Sequence, residues 1–161
     1  MSAADQARVS IALKVPPADA FRIFTREIDQ WWLTGRRFRA LGAGARSIVF
    51  MEERAGGGLF ERLGEQVVKT GEITVWDPPV RLVFDWRGVN LVGEDKTEVE
   101  VSFAAQGRGT LVTLTHRGWA RIRADHPVRH AKPDADFLRD LGMWWGDLMS
   151  SLRMLATKQA E

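Results

Sequence analysis

Cysteine is absent from the 161 residues, so disulfides, thiolate metal sites and cysteine nucleophiles are all excluded and the fold must rest on its core. Tyrosine is absent too, which leaves Trp and Phe as the aromatics. Charge of one sign is not in excess: 23 Lys and Arg oppose 21 Asp and Glu, a formal +2 that gives little electrostatic reason to bind nucleic acid. The densest basic cluster, Arg36, Arg37 and Arg39, is short, has no RNA- or DNA-binding signature around it, and reads as a solvated loop. No apolar run approaches the ~18 residues that would span a bilayer, and the opening MSAADQARVS lacks the apolar stretch of a signal peptide. No membrane span and a cytoplasmic location are therefore expected. A GxSxG elbow, a phosphate-gripping glycine loop and a nucleotide fingerprint are also missing, since Gly56-Gly57-Gly58 joins two predicted strands rather than a strand and a helix.

What is present is ordinary in bulk and unusual in detail. Hydrophobic residues at 45% and charged residues at 27% exclude a disordered or fibrous chain, and the length predicts one domain over residues 1–161. Seven Trp and eight Phe stand out. Indoles bring large apolar area with only one N–H to satisfy, which suits a large interior or the wall of a pocket.

Periodicity orders the elements. Val9, Ile11 and Leu13 alternate with polar residues over Arg8 to Val15, the pattern of a half-buried strand that Pro16-Pro17 ends. Ala20, Phe21, Phe24, Ile28, Trp31 and Trp32 then recur at helical spacing, as one broken or two short helices. Gly35 to Gly44 has no period and reads as a loop. Six strands are predicted next: Arg46 to Glu53, Leu59 to Leu63, Gln66 to Trp76, Val80 to Arg87, Thr97 to Ala105 and Thr110 to Arg117. Their short connections, such as Asp77-Pro78-Pro79 and Gln106-Gly107-Arg108-Gly109, imply antiparallel hairpins. From Asp134, a plausible N-cap, Phe137, Leu141, Trp144, Trp145, Leu148, Leu152 and Leu155 describe a helix long enough to cross a sheet. The predicted fold class is α+β, a seven-stranded antiparallel sheet with the long C-terminal helix on one concave face.

Several residues invite chemistry, each with a structural counterpart. Strand alternation puts Leu82, Phe84 and Trp86 on one face, with Val99, Val101 and Phe103 beside them and Val112, Leu114 and His116 beyond. His116 thus closes an apolar row, either to orient a ligand or shuttle a proton, or simply as a ring fixed by a backbone carbonyl at the sheet's rim. Glu52 follows Phe50 by two and could face inward as a general base; the alternative is an exposed charge at a strand end, and Glu61 is read the same way. Asp85 should point outward. His126 and His130 stand four apart near Asp125 and Asp134, but Pro127 denies them a helix and no third ligand follows, so no metal is expected. No cofactor is expected either. Gly142 and Gly146 flank Trp144 and Trp145, and glycine inside a helix costs up to about 1 kcal/mol relative to alanine, which suggests space left on the face toward the sheet.

Five segments carry a family resemblance: PPADAFRIFT followed by Trp31-Trp32, AGGGLFER at 55 to 62, GEITVWDPPVRLVFDW at 71 to 86, LVTLTHRGW at 111 to 119, and the aromatic terminal helix. In these the chain resembles the START-like (SRPBCC) superfamily, specifically its branch named after the activator of heat-shock protein ATPase. The resemblance implies a helix-grip (Bet v-like) fold with an internal cavity between sheet and helix. It does not imply one chemistry, because this superfamily hosts carriers, cyclases and co-chaperone domains. Co-chaperone activity in the eukaryotic activators depends on an additional N-terminal domain and is not carried over. The expected function is binding of a small apolar molecule in that cavity. Its expected walls are Trp32, Phe50, Phe84, Trp86, Val101 and Phe103, together with Leu114, His116, Trp119, Leu141, Trp144 and Leu148. Two alternatives stand beside it: a cavity enzyme, cyclase or hydrolase-like, using His116 or Glu52, and a chaperone-partner interaction domain. A homodimer is left open.

Overall fold

The computed structural model describes residues 5–41, 46–87, 96–122 and 132–160. Its elements run β1 (Gln6–Leu13), α1 (Pro17–Arg26), α2 (Ile28–Trp31), β2 (Ile48–Met51), β3 (Gly58–Leu63), β4 (Gln66–Asp77), β5 (Arg81–Trp86), β6 (Thr97–Gln106), β7 (Gly109–Arg117) and α3 (Asp134–Ala160). A 3-10 turn at Trp119–Arg121 follows Gly118, whose φ of 99° is a conformation that glycine adopts without steric cost. The seven strands form one antiparallel sheet in the order β1-β7-β6-β5-β4-β3-β2, each expected strand lying within two residues of its predicted ends. Two register irregularities, at Leu59/Phe60 and at Ile73/Val75, bend the strands that carry them and curl the sheet.

Pro16 and Pro17 end β1 and start α1, because a fixed φ suits the first helical turn and the missing N–H is not needed there. The helical run breaks at Glu27, giving two short helices rather than one. Helix α3 begins at Asp134, with the Phe137 N–H bonded to the Pro133 carbonyl at 2.9 Å, so Asp134 sits in the first turn rather than at the cap. One stripe of α3, Trp145, Leu148, Met149, Leu152 and Ala156, is fully buried. It shares a core with the inward residues of the central strands, among them Leu82, Phe84, Val99, Val101, Val112 and Leu114. The opposite face of the sheet is polar, where Arg117 pairs with Glu98 and Glu100 and Arg81 with Glu100 at 2.6 Å. No helix among the described residues is long and apolar enough to cross a membrane.

At one end of the sheet the interior is solid. Phe21 and Phe24 of α1 reach Phe103, with ring centroids 5.1 and 5.7 Å apart, and Phe21 meets Trp76 at 5.0 Å. Burying such side chains contributes roughly 1.5–3 kcal/mol each. At the other end, residues of the first turns of α3 and of the ends of β5 and β7 line a space that no side chain fills.

Candidate ligand cavity

That space is a cavity of about 590 Å3. Its apolar wall comes from Trp32 at the end of α2, Phe38, Val49, Leu59, Trp86, Trp119, and Phe137, Leu141, Met143 and Trp144 on α3. The indoles are set at angles to one another: Trp32 stacks on Trp86 with centroids 5.8 Å apart, while Trp144 presents its edge to Trp32 at 5.8 Å. Arg36, Arg37, Arg87 and Lys132 also border it, and since Arg36, Arg37 and Lys132 are exposed, the cavity reaches the surface through a basic rim.

Residues 35–41 form a strap over one side. Indole N–H groups tie it down, Trp32 donating to the Phe38 carbonyl at 2.9 Å and Trp144 to the Arg37 carbonyl at 2.7 Å, while Phe38 stacks on Trp144. Glu61, expected at the surface, is 3% exposed, and its carboxylate accepts the Ala40 and Leu41 N–H groups at 2.7 and 2.5 Å. Arg39 departs most from the solvated loop read for it. Its side chain is wholly buried, and it donates to the carbonyls of Asp29, Leu33, Ser47 and Trp32 and to the Asp29 carboxylate at 2.8 Å. Burial alone would raise the Asp29 carboxyl, but the Val49 N–H and Arg39 outweigh it and hold it below the usual carboxylate range.

His116 is fully buried at the cavity floor, fixed by side chains rather than by a carbonyl. Trp145 Nε1–H can only donate, and it does so to His116 Nδ1 at 3.0 Å. The ring proton therefore sits on Nε2, which donates to Thr97 Oγ1 at 2.6 Å, and the Thr97 hydroxyl in turn donates a hydrogen bond to the Trp86 carbonyl at 3.3 Å. Burial pushes the imidazole down to about 3, so it is neutral with both nitrogens engaged.

Of the residues expected around a ligand, Trp32, Trp86, His116, Trp119, Leu141 and Trp144 are in the wall. Phe84, Val101, Phe103, Leu114 and Leu148 are not; they lie in the packed core at 0–4% exposure, because the rings of α1 and the α3 stripe close that half. Phe50 is on the other face of the sheet. In β2 it is Val49 and Met51 that are buried, so Phe50 points outward and stacks on Phe60, and Glu52, of the same parity, is exposed and pairs with Arg54 at 3.4 Å. Asp85 points away from the cavity yet is buried, accepting the Glu72 N–H at 3.0 Å where β4 bulges. Gly142 and Gly146 border open space, but neither lies in the cavity wall, since they project to a different side of α3 from Phe137, Leu141 and Trp144. Phe38, Val49, Leu59 and Thr70 were missed: Phe38 sits in an aperiodic loop, and RSIVFMEE does not alternate enough to tell which side of β2 is inward. His126, His130 and Asp125 lie outside the described residues, and among those described no three His, Asp or Glu side chains converge as a metal site.

The family model described as Activator of Hsp90 ATPase homolog 1-like protein matches residues 14–133. The chain belongs to this family. Solved structures agree on the fold. The protein NE0264 from Nitrosomonas europaea is 13% identical over 99% of this chain and 98% of its own, with a TM-score of 0.65. The protein MLL2253 from Mesorhizobium loti is 17% identical over 95% and 97%, with a TM-score of 0.64. The Aha1 dimer from Colwellia psychrerythraea is 16% identical over 92% of each chain, with a TM-score of 0.62. No match to a curated protein was found. This member of the Hsp90-activator-like family thus pairs its helix-grip architecture with an aromatic cavity bordered by arginines.

Proposed function

We propose that the protein holds a small, mainly apolar molecule in the cavity beneath the 35–41 strap. The observation that carries this reading is an unfilled volume of about 590 Å3 beside a core whose side chains are packed to a few per cent exposure. Interiors seldom leave voids larger than a water, whereas ligand sites run to ~300–1,000 Å3 with apolar walls and few polar groups. An enzyme using His116 or Glu52 has less support. A general base needs a free lone pair within reach of substrate, but both nitrogens of His116 are engaged and Glu52 is exposed, outside the cavity wall and bonded to the Gly58 N–H and Arg54.

Native mass spectrometry of the purified protein tests for a retained small molecule, and also reads the oligomeric state, for which the likeness to the Colwellia dimer motivates a homodimer. Leu141→Trp would project a larger ring into the cavity. It is expected to weaken the neutral probe N-phenyl-1-naphthylamine about tenfold, a difference near 1.4 kcal/mol, while Gly142→Leu, outside the wall, leaves binding within about twofold. Equal binding by all three proteins would defeat the assignment of the site.

A further inference from the structure

Resting on the cavity reading above, we infer that the occupant is a planar aromatic molecule carrying an anionic group, its rings among the indoles and its charge at the basic rim beside Arg36. The rim has guanidinium donors to offer. Arg36 makes no ion pair or hydrogen bond among the described residues. Arg87 also borders the cavity, but its Nε is directed at Asp85 at 3.3 Å, on the side of the sheet away from the cavity, and it shares that carboxylate with Lys96 at 3.8 Å. Acids bordering the cavity are already engaged. Both Glu61 oxygens accept strap N–H groups, and Asp140 pairs with Lys132. An anionic group entering here meets planar, bidentate-capable donors and no uncommitted carboxylate.

The walls select the body of the ligand. Trp32 and Trp86 lie nearly parallel, 28° apart, while Trp86 and Trp144 meet at 60° with centroids 6.2 Å apart. Rings at such angles offer both faces and edges, which a planar aromatic can engage through offset stacking and edge contacts; an alkyl chain gains from burial alone. A second concave site, on the polar face of the sheet around Arg8 and Arg117, carries no comparable reading, because Arg117 is already held by Glu98 and Glu100.

Quenching of tryptophan emission by 9-anthracenecarboxylate and by neutral 9-anthracenemethanol tests the charge, and competition by dodecanoate tests the ring. At low ionic strength the carboxylate is expected to bind about tenfold more tightly than the alcohol, with the gap narrowing as salt is added. Dodecanoate should compete at least about tenfold more weakly. Arg36→Glu alters an exposed side chain without an ion pair, so the fold should be kept, and it should weaken the carboxylate about tenfold while leaving the alcohol unchanged. Equal affinities for carboxylate and alcohol, or an Arg36→Glu protein indistinguishable from the parent, would overturn the anionic assignment and leave the cavity reading standing. Dodecanoate competing as well as anthracenecarboxylate would overturn the aromatic one. Quenching by neither anthracene, with dodecanoate also silent by native mass spectrometry, would overturn the cavity reading itself.

Discussion

His116 is kept neutral by its burial and oriented by a chain of four residues, Trp145 to His116 to Thr97 to the Trp86 carbonyl, that ties α3 to β5, β6 and β7. Its depressed pKa links it to stability with a definite sign. The unfolded chain takes up a proton as pH falls below 6.5, the folded chain does so only near 3, and stability present above pH 6.5 is lost between those values. The loss should approach about 1.4 kcal/mol per pH unit once the unfolded histidine is charged. Urea denaturation at pH 7, 5.5 and 4.5 checks this against His116→Gln, in which that component of the slope should vanish; an unchanged slope in the variant would refute it. The sequence placed His116 correctly at the end of an inward row, since alternation depends only on its own strand. The partners were not legible, because Thr97 and Trp145 are brought to it by strand pairing and by the rotation of a helix, neither of which is written locally.

At the scale of an element, the strap from 35 to 41 shows how a loop without periodicity can be held in place by side-chain hydrogen bonds. Read as sequence, its three arginines look alike. In the structure Arg36 and Arg37 are exposed while Arg39 is 2% exposed and gathers the end of α2, the strap and the start of β2 onto one guanidinium. Nothing in RRFR distinguishes them, because the distinction rests on which carbonyls the returning chain leaves unpaired. Arg39→Met should cost about 3–5 kcal/mol by leaving several buried carbonyls without their donor, although Asp29 keeps Arg46 at 2.9 Å and the Val49 N–H, and Arg36→Met should stay within about 0.5 kcal/mol of the parent. Chemical denaturation of both variants measures this directly. A loss below about 1 kcal/mol at Arg39 would mean that water replaces its bonds and that the strap is less buried than described.

Across the whole molecule, strand number, strand order and the covering helix were readable because each rests on a local cue: alternation, a short turn, or a 3.6-residue stripe. The division of the interior was not readable. Phe84 and Trp86 share a face of one strand and look equivalent in sequence, yet Phe84 is in solid core and Trp86 in a cavity wall, a difference set by which elements pack over each. This separation should be visible thermodynamically. Phe84→Ala removes a ring that is 0% exposed, and should cost about 3–5 kcal/mol with no more than about a twofold effect on an aromatic probe. Trp86→Ala removes a half-buried ring that already borders empty space, so it should cost less, about 1–3 kcal/mol, and weaken the same probe about tenfold. Phe84→Leu provides a milder version should the alanine variant fail to fold. If both positions behave alike in stability and in probe binding, the interior is one continuous core or one continuous cavity, and the two-part architecture inferred from α1 and the strap is wrong.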